Sequence, residues 1–246
     1  MLINKDSIFN KIPANLDQRQ IFLLEGIRFC TNSITLSFEK LHDEISYISE
    51  NNLREESSVT IFKEAWNQID MTYRLTNFIK SFAGNFDISK VKPGGNFEYL
   101  LKTKPFRNSF QHIDERIDEV LLGLNAPIWG NISWLKTINN ESIKSFVISA
   151  GHPRDDFENK IINPLDLHII DIIDFITIEA VQKNSQEPIS SINLSELYRR
   201  TKLVIEKVAS DLEPQFISLA QIEILPQDIL ICVDMEYVDN LPIQKE

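Results

Sequence analysis

An arginine, an asparagine and a histidine lie close together near the middle of the chain, between Lys104 and His112. Histidine titrates near neutral pH, so His112 can take a proton from a hydroxyl group or give one to a leaving oxygen. Arginine stays charged and reaches two phosphate oxygens with its planar fork, so Arg107 can stabilise the charge on a phosphorane. Asn108, one turn before His112, can orient the imidazole or the phosphate. These side chains have the chemistry to cleave RNA without a metal ion.

The helix that carries these residues limits how they can act together. Pro105 suits a first helical turn, and apolar residues at helical spacing predict a helix over residues 105–122. On an ideal helix Arg107 and His112 are about 140° apart, so one straight helix does not aim both at one point. Either Arg107 bends around the helix N-terminus, or a second copy of the chain supplies half of the site. Glu115 and Glu119 share the flank of His112, where they orient the ring or only solvate that side.

A basic stretch leads into the motif. Residues 80–107 contain six basic and two acidic side chains, a net charge of +4 in a chain whose total is −11. Aromatic residues at 97, 99 and 106 are interleaved with the basic ones, as in loops that contact RNA, although a solvated loop has the same composition. The candidate substrate-binding residues are Lys90, Lys92, Lys102 and Lys104.

The C-terminal tail has the opposite charge. Residues 211–246 contain eight acidic residues and Lys245, a net charge of −7. This charge predicts that the tail lies against the basic stretch and competes with RNA, because tethering raises its effective concentration. Alternatively, residues 229–233 pair as a strand and the tail is structural.

The elements that position the motif are predicted from hydrophobic periodicity. Stripes of apolar residues indicate long helices at 17–49 and 57–82, joined by a short connection that favours an antiparallel pair. A short helix at 96–103 precedes the motif helix. Beyond residue 128, β-favouring runs predict a hairpin at 132–138 and 143–148 and strands at 175–181 and 189–194. The fold class is therefore α+β and mainly α, with a small antiparallel sheet.

The segment Lys104-Pro105-Phe106-Arg107-Asn108-Ser109-Phe110-Gln111-His112 resembles the R-x(4–6)-H motif of HEPN domains. These domains are small helical bundles, and many of them are metal-independent endoribonucleases of toxin–antitoxin, abortive-infection and CRISPR systems. The resemblance implies that Arg107, Asn108 and His112 are catalytic, that the protein is a homodimer with facing motif helices, and that a cognate antitoxin protein is a partner. The resemblance covers a helical core at 15–124 and a helix at 195–212 that closes the bundle. Two segments lie outside it, a β-rich insertion or appendage at 125–194 and the acidic tail at 213–246.

Other classes of function lack their sequence signals. There is no dinucleotide-binding or P-loop glycine pattern, no nucleophile elbow and no H-E-x-x-H, so the sequence predicts neither a cofactor nor a metal site. His168, Asp171 and Asp174 recur every third residue but are not expected to bind metal. No apolar run is long enough to span a membrane, no signal peptide is recognisable, and Cys30 and Cys232 are far apart, which predicts a cytoplasmic protein.

Two other functions stay open at the level of sequence. Arg107 lies near Asp114 and Asp118 on the helical wheel, so the motif could form only surface ion pairs. The chain would then be a non-catalytic interaction protein that uses the bundle to dimerise or to hold a partner, and the net charge of −11 favours this reading. A nucleotide-binding accessory subunit is the third candidate.

Overall fold

The computed structural model of the chain describes residues 2–3, 7–51, 54–82, 92–115, 117, 126–138, 142–150, 175–182, 189–217, 224–225, 228, 230 and 232. Lys90, the segment from His152 to Asp174 and most of the acidic tail lie outside these residues. The described chain is mainly helical and contains a four-stranded antiparallel sheet, which confirms the α+β, mainly α fold class.

Two long helices form the largest part of the structure. Helix α1 spans Gln18–Glu50 and helix α2 spans Glu55–Phe82. α1 begins with a capping box, in which the Asp17 carboxylate accepts a bond from the Gln20 N–H at 2.8 Å and the Gln20 side-chain oxygen accepts one from the Asp17 N–H at 3.1 Å. Asp17 is therefore the N-cap of α1, at the first residue of the helix predicted over 17–49.

Polar contacts along the α1–α2 interface fix the relative direction of the two helices. Near the start of α1, Arg19 donates to the carbonyl oxygen of Ser81 at the end of α2. Near the middle of both helices, the Asn67 side-chain amide donates to Ser33 at 3.2 Å and to Ser37 at 2.6 Å. The beginning of one helix thus lies beside the end of the other, so the predicted antiparallel pair is confirmed.

The helix that carries the motif is shorter than the sequence predicts. Helix α3 spans Asn96–Leu101 and helix α4 spans Thr103–Gln111, with Pro105 in the first turn of α4. At His112 the backbone leaves the helical region, with φ −115° and ψ 33°, and residues 112–115 form a turn. The prediction of one continuous helix over 105–122 is therefore wrong at residues 112–115, whereas residues 116 and 118–122 lie outside the described residues.

Helix α5, Leu194–Ile217, closes the helical part of the fold. Tyr198 stacks on Phe38 of α1 with ring centroids 4.2 Å apart. The fully buried Gln68 of α2 donates to the carbonyl oxygen of Leu194 at 2.9 Å. α5 is thus attached to both long helices. Among the described helices, none is long and apolar enough to cross a membrane.

The sheet contains strands β1 (Asn131–Ile138), β2 (Ser142–Ser149), β3 (Thr177–Val181) and β4 (Ile189–Asn193). Its order is β2-β1-β3-β4, and all neighbours are antiparallel. The hairpin predicted from the two runs after residue 131 is therefore confirmed, with Ile138 opposite Ser142 at its end.

The sheet packs on the helices and shares one hydrophobic core with them. Trp134 of β1 donates its indole N–H to Ser49 of α1 at 2.9 Å, and Lys136 donates to Glu50 at 2.8 Å. Buried apolar residues of the strands belong to the same cluster as those of the helices; they include Ile132, Trp134, Ile148, Ile178 and Ile192.

One glycine lets the chain enter the sheet. Gly130 has φ +86°, a conformation that L side chains rarely adopt. A Cβ atom at this position would lie 2.2 Å from the carbonyl oxygen of Glu179 on β3. Only glycine therefore allows β1 to pair with β3 immediately after the turn.

Candidate active site

Helix α4 is anchored through one face, which leaves the motif on the other. Phe106 is buried, and the hydroxyl group of Thr103 donates to the carbonyl oxygen of Leu100 at 2.6 Å. Ser109, also buried, donates to the carbonyl oxygen of Val181 on β3. The burial of Phe106 means that this ring is not available to stack on RNA, contrary to the sequence-based interpretation.

Phe110 fixes the C-terminal end of α4 through aromatic contacts. Its ring stacks on Trp66 of α2 at 4.7 Å and lies 5.7 Å from the ring of Trp129. The Trp66 indole N–H donates to the carbonyl oxygen of Trp129 at 3.2 Å. This cluster joins α2, α4 and the turn before β1, immediately before the chain reaches His112.

Arg107 is held by α2. Its Nε donates to Oδ1 of Asp70 at 3.2 Å, and its guanidinium carbon lies 5.0 Å from the centroid of the Tyr73 ring. The Arg107 side chain is only 23% exposed. Among the described residues, the carboxylate bound to Arg107 belongs to Asp70 and not to the predicted Asp114, whereas Asp118 lies outside the described residues.

Asp70 binds a second arginine. The Nε of Arg74, one turn further along α2, donates to Oδ2 of Asp70 at 2.6 Å. The hydrogen bond to Asp70 raises the pKa of Arg74, so the guanidinium stays charged. Each oxygen of one carboxylate thus binds a different arginine, and the cluster of Arg74, Asp70 and Arg107 has a net charge of +1.

His112 lies at the exposed end of α4. Its side chain is 54% exposed, and Nδ1 lies 3.2 Å from Oε1 of Glu115. The predicted neighbour Glu115 therefore does contact the ring, whereas Glu119 lies outside the described residues. Because α4 ends before His112, the angle of about 140° for an ideal helix does not describe its position relative to Arg107.

Arg107 and Asn108 lie on α4 and His112 follows its last residue, so the motif is close in the chain but is not joined directly. Among the described contacts, none links Arg107 to His112, and Asn108 is half-buried. Arg107 is fixed by α2, and His112 is paired within its own turn. A substrate phosphate or a second copy of the chain would have to bridge the two.

The predicted lysines border this region. Lys92, Lys102 and Lys104 are exposed, whereas Lys90 lies outside the described residues. The Lys102 ammonium group lies 4.9 Å from the centroid of the Tyr99 ring. The guanidinium of Arg200 on α5 lies 4.7 Å from that same ring. Tyr99 is thus bracketed by two cations.

Lys80, at the end of α2, extends the basic region. Its ammonium group lies 6.0 Å from the centroid of the Phe97 ring. Burial lowers the pKa of Lys80, and the nearby positive charge of Lys104 lowers it further. The basic and aromatic residues predicted to be interleaved in sequence are therefore also interleaved in space at Lys80, Phe97, Tyr99 and Lys102.

Sequence reasoning missed the α2 residues of this site. Asp70 and Arg74 are spaced i, i+4, which is a recognisable helical ion pair, but this spacing does not say that Arg107 joins them. Arg200 was missed as well, because it lies nearly a hundred residues beyond the motif.

The described part of the tail contacts a different surface from the one predicted. Asp228 accepts two bonds from the Arg28 guanidinium on α1, at 3.0 and 2.9 Å, and the Arg28 side chain is only 10% exposed. The Leu225 N–H donates to the carbonyl oxygen of Ile12 at 3.0 Å. These contacts are structural ones with α1 and the segment before it. The proposed strand at 229–233 lies largely outside the described residues.

In the part of the chain that the structure describes, no three histidine, cysteine or acidic side chains converge to hold a metal ion. The repeat of His168, Asp171 and Asp174, which the sequence analysis does not expect to bind metal, lies outside that part. Comparison with known proteins finds no match to a family model, to a curated protein or to a solved structure.

Proposed function

We propose that this chain is a metal-independent endoribonuclease of the HEPN type, with Arg107 and His112 as its reactive pair. The observation that carries the proposal is the pair of side chains on and just after α4. Arg107, in the middle of α4, is half-buried and held in place by Asp70, and His112, directly after the helix, is exposed with a carboxylate on one ring nitrogen. A toxin or phage-defence setting and a cognate antitoxin protein belong to the proposal through the sequence resemblance alone.

His112 is suited to move protons. With the proton on Nδ1, the ring donates to Glu115, and Nε2 carries the lone pair that can act as a base. His112 Nε2 takes the proton from a 2′-hydroxyl group, the 2′-oxygen bonds to phosphorus, and the bond from phosphorus to the 5′-oxygen breaks. The 5′-oxygen takes up a proton from water and His112 releases its proton to solvent, and the products are a 2′,3′-cyclic phosphate and a 5′-hydroxyl group.

Arg107 is suited to stabilise charge. It uses Nε for Asp70, so its two Nη groups can donate to the oxygens of the phosphorane. The face of Tyr73 below the guanidinium holds it in a fixed position. Asn108, half-buried between the two residues, would orient the phosphate or the imidazole.

The surrounding charge supports RNA as the substrate. Exposed Lys92, Lys102 and Lys104 lie along α3 and α4 and can neutralise phosphates. The net charge of −11 is unevenly distributed, since residues 80–107 are positive and the tail is negative. A homodimer is part of the proposal, because no described contact joins Arg107 to His112 within one copy.

A second candidate, a non-catalytic interaction protein, is favoured by one observation. Both reactive groups already have partners within the chain, Asp70 for Arg107 and Glu115 for His112. If RNA does not displace or extend these pairs, the motif only stabilises the fold.

The decisive experiment is RNA cleavage in EDTA by the wild type, by Arg107→Ala and by His112→Ala. We expect the wild type to leave 2′,3′-cyclic phosphate ends, and each substitution to lower the rate at least a hundredfold. Arg199→Ala and His42→Ala are matched controls, because they remove an ion-paired arginine and a helical histidine from other surfaces. Their rates should stay within twofold of the wild type.

Three results would contradict the mechanism or redirect it. Cleavage only after addition of Mg²⁺ or Mn²⁺ would exclude the metal-independent route. Cleavage that survives His112→Ala would remove the proposed base. A folded wild type that cleaves no RNA would favour the interaction protein, and light scattering at micromolar concentration would then show whether it dimerises.

A further inference from the structure

We propose that Arg74 and Phe29 form, together with Arg107, a binding site for one nucleotide of single-stranded RNA. The phosphate lies between the two guanidinium groups, and the base lies in a cavity between α1 and α2. The inference rests on the proposed function in taking RNA as the ligand. Arg74 and Phe29 are new substrate-binding residues, and Asp70 becomes a positioning residue.

The phosphate position follows from the shared carboxylate. Arg74 and Arg107 both bond to Asp70 through Nε, at 2.6 and 3.2 Å. Since both bonds end on one carboxylate, the two Nε atoms are at most about 8 Å apart, close enough for both arginines to reach one phosphate. In the described part of the chain, no other hydrogen bond involves the Nη groups of either residue.

Charge and exposure favour an anion at this point. The three side chains leave a net charge of +1, and they are not equally accessible. Asp70 and Arg107 are 20% and 23% exposed, whereas Arg74 is 49% exposed. The cluster is therefore closed on the side of Arg107 and open on the side of Arg74. An ordinary surface ion pair of one acid and one base would leave no charge to be neutralised.

The base position follows from the cavity next to Arg74. An open cavity of about 450 Å³ lies between α1, α2 and Asp228 of the tail, and Arg74 is one of its lining residues. The two carboxylates in its lining, Glu25 and Asp228, are both ion-paired with Arg28, so Arg74 is the cation of this lining that neither of them binds. Phe29, Met71 and Phe78 give it apolar walls. Phe29 is 65% exposed, so the face of its ring is available to a ligand. Bases of single-stranded RNA stack on exposed aromatic rings with little regard to sequence.

Asp70 has a separate role, which is to orient Arg107 toward the reacting phosphate. Its negative charge weakens phosphate binding slightly, while its hydrogen bond fixes the guanidinium of Arg107. Removing the charge of Asp70 should therefore strengthen RNA binding and slow catalysis. If Asp70 only stabilised the fold, its substitution would weaken RNA binding and catalysis together.

The test uses the full chain and a fluorescent 2′-O-methyl RNA oligonucleotide, which lacks the attacking hydroxyl group and cannot be cleaved. Anisotropy gives the Kd at two salt concentrations. We expect Arg74→Ala to raise the Kd about tenfold and to reduce the slope of log K against log salt by about 0.7, as expected for one lost phosphate contact on a single strand. Lys207→Ala, which also removes an exposed base from an i, i+4 pair, should leave the Kd within twofold.

The base pocket has its own matched pair. Phe29→Ala should raise the Kd about tenfold, because it removes the stacking surface. Phe22→Ala is the control, because Phe22 is 62% exposed and Phe29 is 65% exposed. Phe22 lies seven residues earlier on the same face of α1, but its ring does not line the cavity. Phe22→Ala should leave the Kd unchanged. Equal effects of the two substitutions would overturn the base pocket.

Asp70→Asn completes the test. It should keep or lower the Kd for the oligonucleotide and slow the cleavage of unmodified RNA at least tenfold. Slower cleavage with a raised Kd would overturn the positioning role.

If Arg74→Ala binds as tightly as the wild type while cleavage persists, the nucleotide site is wrong and the ribonuclease stands. If the binding losses appear but the wild type never cleaves, the ribonuclease is wrong and the nucleotide site stands. A wild type that binds no tighter than Arg74→Ala overturns the site.

Discussion

Trp66 is one of the side chains that hold α4 in position, and Trp66→Phe should measure how strongly it does so. The indole is 4% exposed, stacks on Phe110 and donates to the carbonyl oxygen of Trp129. Phenylalanine keeps a ring against Phe110 but cannot donate the hydrogen bond. The substitution therefore measures what the hydrogen bond and the second ring of the indole contribute to stability, while the stacking on Phe110 is kept.

The loss of stability can be worked out from these contacts. The missing hydrogen bond removes about 1 kcal/mol. The smaller ring leaves roughly 40 Å³ of extra space, which at about 24 cal/mol per Å³ adds about 1 kcal/mol. A cavity of about 20 Å³ already lies beside Trp66, so a water molecule can reach the freed carbonyl group and keep the loss from rising further. We expect a loss of about 2 kcal/mol.

Urea unfolding followed by fluorescence and circular dichroism measures this loss as a lower midpoint at an unchanged slope. For a chain of this size, 2 kcal/mol also lowers Tm by about 4–8 °C. Phe22→Ala, which truncates a ring that is 62% exposed, is the control and should shift stability by less than about 0.5 kcal/mol. If Trp66→Phe is as stable as this control, the aromatic cluster does not hold α4 and the account of its position is wrong.

Two other predictions concern titratable groups. Burial raises the pKa of the Cys30 thiol to about 11. At pH 8 a thiol reagent should therefore label only the exposed Cys232 in the native protein, and both cysteines in urea. Rapid labelling of Cys30 in the native protein would contradict its burial. Hydrogen bonds from Arg199 and Arg200 lower the pKa of Glu196 below its usual 4.5, against the opposing effect of burial. This stabilisation is present above pH 4.5 and is lost as the pH falls through the folded-state pKa, so Glu196→Gln should lower stability by about 0.5–1 kcal/mol at pH 7 and by progressively less as the pH is lowered below 4.5. A difference that does not shrink on acidification would show that charge is not its cause.

Most secondary structure was predictable from the sequence, because its signals are local. The stripe of α1 and its Asp17 cap lie within one continuous segment. The β-favouring runs of β1 and β2 are separated by only a few residues, so the hairpin needs no distant information. Strand β3 was predicted over 175–181 and spans Thr177–Val181, a difference at the boundary only.

The geometry of the candidate site was less predictable, because distant residues determine it. Residues 112–122 contain no glycine or proline, so nothing local indicates that α4 ends at Gln111. The aromatic cluster of Phe110 with Trp66 and Trp129 immediately precedes the turn, and both partners lie far away in sequence. The partner of Arg107 was missed for the same reason: a helical wheel shows only neighbours on the same helix, and Asp70 lies on another.

The order of elements along the chain has a consequence for synthesis. α5 packs on α1 and α2 but follows the sheet, so roughly 80 residues separate the end of α4 from the start of α5. At about 5–20 residues per second, a ribosome needs roughly 4–16 s to make that stretch. During this interval the nascent helices lack the partner that covers Phe38 and Gln68. The surface of α1 and α2 that α5 covers therefore stays uncovered for seconds during synthesis, so the helical part of the fold is completed only after the sheet has been made.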